Sequence, residues 1–333
     1  MPLKLEITNA KEKIKMMTFE EKLSESIESF FDLDKPDYTE NKKNLHADFI
    51  ELISLFSNTD GTSFGDVLDR FFGTKDYSSG KQRDKDESWL IEIFTIIEQR
   101  VRLFADDYPF TLDDNEVLTI KPDLNWKNKM YLGMLVSSKL NIFKGFRPDL
   151  TSEFETISYY VLKNFLSSKS IVKEFGKNST YTGNAKEKIR LLAADLGLKI
   201  EEDELEGISE RNNQERGLDI IGWMPFGDKC MNQLVYLAQC ACGKDTESKY
   251  HDTRRFENYL KFYKTKPQHI MFIPYSLINT FKNKFYHSDL IEKDFLIFER
   301  KRILALFEEE ETFLGLQMNK IVDRCVKHQA DIV

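Results

Sequence analysis

Asp219 is the residue whose surroundings most need a chemical reason. It stands in Gly217-Leu218-Asp219-Ile220-Ile221-Gly222-Trp223, and an acid inside an apolar run is costly to bury unless it is paired or bound to a cation. Gln239, twenty positions later, closes a second apolar run that contains Leu234, Val235, Tyr236 and Leu237. Two such runs around a turn with Pro225, Gly227 and Asp228 predict a β-hairpin. A hairpin can bring Asp219 and Gln239 side by side, with oxygen atoms toward one divalent ion. A cation so held polarises a phosphoryl oxygen and lowers the pKa of an attacking water, as phosphodiester hydrolysis requires. The plainer alternative is a strand-end acid that pairs with an arginine or caps a turn.

Other reactive residues read more simply. Cys240 and Cys242 alternate along a strand end and share one side, where small buried thiols are commoner than a metal or redox pair. With Cys230 and Cys325 they make a four-thiolate zinc site only if the fold gathers them, which their spacing does not show. His251 and Asp252 are adjacent, and neighbours on a helix diverge by about 100°. Glu155, near the start of a helix, is by itself a routine partner of the helix dipole. No nucleophile elbow, P-loop or dinucleotide fingerprint is present.

The elements that must position these residues fall into two halves. Helical spacing covers Thr18 to Phe31, His46 to Phe56, Ser63 to Phe72, Glu87 to Phe104 and Trp126 to Asn141, with turns at Thr59-Asp60-Gly61 and Gly145-Phe146-Arg147-Pro148 and a loop from Gly73 to Asp86. Asp107-Tyr108-Pro109 breaks the pattern before a short irregular or β segment, Tyr108 to Ile120. A boundary near Pro148 separates a helical domain, 1–148, from a second domain, 149–333. The second reads as a helix from Ser152 to Leu166, a helix from Gly183 to Leu196, the hairpin, a helix from Arg254 to Tyr263, a buried strand from Gln268 to Pro274, and helices from Leu290 to Val326. The fold class expected is mixed α/β.

The blocks around Glu155, Gly217 to Trp223 and Leu237-Ala238-Gln239-Cys240-Ala241-Cys242-Gly243 resemble the PD-(D/E)xK, or restriction-endonuclease-like, nuclease superfamily over roughly residues 150 to 275. The resemblance implies a central mixed sheet flanked by helices, with a Mg²⁺ or Mn²⁺ ion held by Glu155, Asp219 and Gln239. It also implies a metal-dependent nuclease, acting on DNA in restriction or anti-phage defence. The family places a lysine two residues after Gln239; here that position is Ala241, so Lys249 or Lys244 would supply the ammonium. Arg254, Arg255, Lys261 and Lys264 would contact the nucleic-acid backbone. The alternative is a catalytically degenerate nuclease fold that serves as a binding or scaffold component of a defence or repair complex, with the N-terminal half docking protein partners.

Bulk properties set the frame. The 333 residues include 26 Phe, and 41% are hydrophobic, enough apolar side chain for a folded core. No run approaches the roughly 20 apolar residues of a membrane span, and the first fifteen residues lack the apolar core of a signal peptide. Four cysteines fit a reducing cytoplasm. The formal charge of −8 has the wrong sign for coating nucleic acid. Yet 11 Lys/Arg face 5 Asp/Glu between Thr253 and Arg302, a net of +6, against 8 acids and 2 bases from Asp195 to Glu215. One face could therefore attract a polyanion.

Overall fold

The computed structural model describes residues 17–31, 43–57, 61–73, 80–176, 178–209, 217–228, 230, 232–243, 249, 252–286 and 295–328. By contacts the chain forms two compact units: Met1–Leu150 with Tyr275–Tyr286 and Thr312–Val333, and Thr151–Pro274 with His287–Glu311. This division changes unit after Leu150, and two later segments return to the first unit. The turn expected at Thr59-Asp60-Gly61 lies mostly outside the described residues.

The first unit is built from α1 (Phe19–Phe31), α2 (Lys43–Phe56), α3 (Phe64–Phe72), α4 (Gly80–Phe104), a small hairpin of β1 (Phe110–Leu112) and β2 (Leu118–Ile120), and α5 (Trp126–Ser137). Helix α4 starts seven residues before the expected Glu87, inside the stretch read as loop. Helix α2 is buried along nearly its whole length, Asp48 and Glu51 included. Arg100 of α4 reaches both at 2.8 Å, and Tyr108 and Tyr131 donate to Glu51 Oε1 at 2.8 and 2.9 Å. Burial first, then the Glu51 charge, pushes the Tyr108 hydroxyl far above its ordinary pKa, so it remains a donor.

Helix α6 (Arg147–Phe165) starts within the first unit and enters the second at Thr151. The expected turn through Pro148 is instead a 3-10 turn, Lys144–Phe146, followed at once by the helix. Proline is tolerated there because a first-turn N–H has no intrahelical partner. Next come β3 (Ile171–Glu174), a strand absent from the sequence reading, α7 (Ala185–Leu196), β4 (Lys199–Ile200) and α8 (Glu202–Glu206). Asn184 caps α7, and Gly197 ends it in the left-handed conformation, φ 64°.

The expected hairpin is β5 (Ile220–Met224) and β6 (Leu234–Cys240), antiparallel with Ile220 opposite Ala238. A 3-10 turn, Thr253–Arg255, leads to α9 (Phe256–Tyr259), β7 (Leu260–Lys261) and β8 (Gln268–Phe272). The helix expected to reach Tyr263 stops at Tyr259 because Leu260 and Lys261 pair with β4. After β9 (Ile278–Asn279) and β10 (Lys284–Phe285), the tail holds β11 (Leu296–Phe298), α10 (Arg300–Leu306), α11 (Glu310–Gly315) and α12 (Gln317–Lys327). The uniformly helical tail expected from Leu290 is therefore corrected: Leu296 to Phe298 pair in parallel with β8.

The central sheet is mixed and five-stranded, in the order β11-β8-β6-β5-β3. Ile221, Trp223, Val235 and Leu237 join one core with Ile189 and Leu192 of α7 and Phe256 and Tyr259 of α9. On the opposite face α6 comes down on Gly222, where a Cβ would stand 2.8 Å from Leu166 Cδ1 and 3.5 Å from Leu162 Cδ2. That close seat fixes the height of α6 above β5. Among the described residues no helix is long and apolar enough to cross a membrane.

Arg100→Ala removes the buried guanidinium that Asp48 and Glu51 share. Urea denaturation should report a loss of about 3–5 kcal/mol. Arg83→Ala, which removes an exposed pair with Glu87 one turn away, should change stability by less than about 0.5 kcal/mol.

Candidate functional site

The site is assembled at the start of β5, where the strand pairing carries a defect. Ile220 is the register partner of Ala238, yet the Asp219 N–H also donates to the Ala238 carbonyl, at 3.0 Å. Two residues against one is a β-bulge, and a bulge re-aims the extra side chain. The Asp219 carbonyl accepts from Phe175 N and Gly176 N at 2.7 and 2.9 Å, so β3 clamps the bulge from its other side. The Asp219 side chain is thereby delivered to the α6 face of the sheet.

Glu155 meets it there. Because α6 begins at Arg147, Glu155 lies two turns inside the helix, beyond the reach of the terminal dipole. A Cβ built on Gly176 would stand 3.1 Å from Asp219 Oδ1 and 3.2 Å from Glu155 Oε2. Both carboxylate oxygens therefore converge on one point, and the missing side chain at 176 keeps that point open. The other carboxylate oxygen of Asp219 accepts the Cys240 N–H at 2.7 Å.

Cys240 faces the same side, its thiol near Ser158, one turn beyond Glu155. Burial first, then the negative charges of Asp219 and Glu155, drives the thiol pKa well up. The sulfur stays protonated, which suits neither a nucleophile nor a thiolate ligand. Cys230, Cys242 and Cys325 are not in disulfides, and Cys325 belongs to the first unit.

Gln239 does not join the two acids. Alternation along β6 turns it away from Cys240, and its Nε2 donates to Asp252 Oδ2 at 3.2 Å. It is 4% exposed, and Oε1 has no donor among the described residues. The expected three-residue convergence is thus corrected to a two-carboxylate pair, because the bulge shifts Asp219 out of phase with the residue opposite. Ala241 is fully buried, and its N–H donates to Phe272 O at 2.9 Å, continuing the ladder toward β8. Lys244 and His251 lie outside the described residues. The Lys249 carbonyl accepts from Asp252 N at 3.1 Å.

Arg255 and Lys261, both expected to contact nucleic acid, already hold carboxylates. Arg255 pairs with Asp252 at 3.0 Å and Lys261 with Glu201 at 2.9 Å. Arg254 lies over the Phe295 ring at 5.4 Å, and Lys264 is exposed. The acidic stretch is likewise tied down locally, Asp195 by Lys173, Glu202 by Arg190 and Glu206 by Lys186. Both features weaken the charge asymmetry read from the sequence.

Sequence reasoning missed Gly176, whose only signal is its place after an unrecognised strand. It also missed His269, buried on β8 between Thr253 Oγ1 at 2.9 Å and Glu257 Oε1 at 3.0 Å. This clasp ties the segment after Asp252 to the sheet. Among the described residues no three His, Cys, Asp or Glu side chains group as a metal site. The donor set still fits Mg²⁺ or Mn²⁺, since Mg²⁺ commonly takes one or two carboxylates and completes its shell with water and substrate phosphate. The chain matches no family model, no curated protein and no solved structure.

Burial holds the His269 imidazole below its ordinary pKa of 6.5, with Glu257 opposing the shift. The unfolded chain therefore takes up that proton more readily. The resulting penalty is absent well above pH 6.5 and grows as the pH falls through it. In urea denaturation at pH 7.5 and 5.5, His269→Gln should lose less stability on acidification than wild type. Equal losses would assign the acid sensitivity elsewhere.

Proposed function

We propose that this chain is a metal-dependent phosphodiesterase of nuclease type, with Glu155 and Asp219 as its metal-holding carboxylates. The observation that carries the reading is the convergence of Asp219 Oδ1 and Glu155 Oε2 beside Gly176. The two acids come from a helix and from the first strand of a hairpin on a central mixed sheet, the arrangement that the nuclease resemblance implies. A Mg²⁺ or Mn²⁺ ion held there would polarise the scissile phosphoryl group and lower the pKa of the attacking water.

The chain's own groups do the positioning. The Cys240 N–H orients the Asp219 carboxylate through Oδ2, and Oδ1 is the oxygen on the Gly176 side, toward Glu155. Ala241 offers no ammonium, so Lys249, or Lys244, is the proposed source of positive charge near the phosphate. Lys264, which is exposed, is the basic residue favoured for backbone contact, with Arg254 beside Phe295 as the second. The substrate proposed is DNA, in a restriction or anti-phage setting.

A second reading, a catalytically degenerate nuclease fold that binds nucleic acid or a partner protein without cutting, is favoured by two observations. Gln239 is committed to Asp252, and the side chain at 241 is a methyl group.

Purified protein with Mn²⁺ and supercoiled plasmid separates the two readings. The hydrolase should nick the DNA, and Asp219→Ala should reduce the rate by at least about a hundredfold, the scale of a lost transition-state electrostatic contact. The melting temperature should change little, because removing one of two like charges offsets the loss of the acceptor for the Cys240 N–H. Binding without cleavage, unaffected by Asp219→Ala, establishes the degenerate fold instead.

A further inference from the structure

Asp252 touches both segments that build the site. Its carboxylate accepts from Gln239 Nε2 at 3.2 Å through Oδ2, and its Oδ1 pairs with Arg255 Nη2 at 3.0 Å. Its Cβ also sits directly over Gly217, where an added Cβ would approach it to 2.3 Å. Gly217 has φ +84°, so a glycine is needed there for both conformation and space. Asp252 is thus seated two residues before Asp219 on one side and bonded to the residue before Cys240 on the other.

We propose that Asp252 and Gln239 are a positioning pair that sets the Cys240 N–H against Asp219, and that Gln239 is not itself a metal ligand. This rests on the hydrolase reading only for its metal-binding consequence. A buried amide donating to a carboxylate is a charge-assisted bond with fixed direction. It holds the end of β6, and the next peptide N–H along that strand orients Asp219. A carboxylate at 239 would face Asp252 at hydrogen-bond distance, and like charges so placed repel. An amide at 252 would relieve the repulsion by reversing donor and acceptor.

The test uses the full chain and two readouts, Mn²⁺ affinity by calorimetry and hydrogen exchange of the Cys240 amide by NMR. Gln239→Glu should weaken Mn²⁺ binding and speed exchange at Cys240, each by about tenfold or more, while the double variant Gln239→Glu/Asp252→Asn should return both to within about threefold of wild type. Tighter Mn²⁺ binding in Gln239→Glu would make position 239 a direct ligand and overturn the proposal. A double variant no better than the single one would overturn it as well. If Gln239→Glu fails to fold, Gln239→Met removes the donor without adding charge and should accelerate Cys240 exchange in the same direction; unchanged exchange would count against the pair. Should wild type take up no Mn²⁺, the hydrolase reading fails alone, and the exchange series still decides whether Asp252 and Gln239 orient Asp219.

Discussion

The peptide unit of Asp219 is held from every side, and the arrangement of the site depends on it. Its N–H goes to Ala238, its carbonyl takes two N–H groups from the end of β3, and its carboxylate takes the Cys240 N–H. This is a bulge with both backbone groups of Asp219 satisfied, so the irregularity is not a weak point in the sheet. Were it ironed out into regular pairing, alternation would send the Asp219 side chain to the opposite face, away from Glu155. One inserted residue decides whether two carboxylates meet.

Much of the framework was legible because it rests on periodicity. The hairpin, the buried strand at 268–272 and the helices of the first unit follow from apolar spacing and turn residues alone. Strand β3 was not legible, because Ile171-Val172-Lys173-Glu174 is an edge strand with no fully buried residue and hence no clean alternation. Strand β11 was masked by the helical pattern around it. Pro148 misled through its reputation as a breaker, when a proline in the first turn starts a helix as readily as it ends one.

The candidate site was legible in its parts and not in its phase. Asp219 stood out as an acid in a buried run, and Glu155 followed from the resemblance. The pairing of Asp219 with Gln239 assumed an unbroken two-residue period, and no residue type announces the bulge that breaks it. Gly176 escaped, and Asp252 was weighed only as a neighbour of His251 at a solvated helix start, for a related reason: their importance lies in what stands across from them, which spacing along one segment cannot express.

The seat of α6 on Gly222 has a consequence for how this chain can change. Strand β5 bears the helix at one residue and presents Asp219 three residues earlier, while Glu155 rides on that same helix. The separation of the acids is therefore set by one strand and the rod resting on it, with no connecting loop in the linkage. Met224 is the end of β5 away from the acids. Insertions there could remodel the outer rim of the molecule and leave the spacing of the two carboxylates intact.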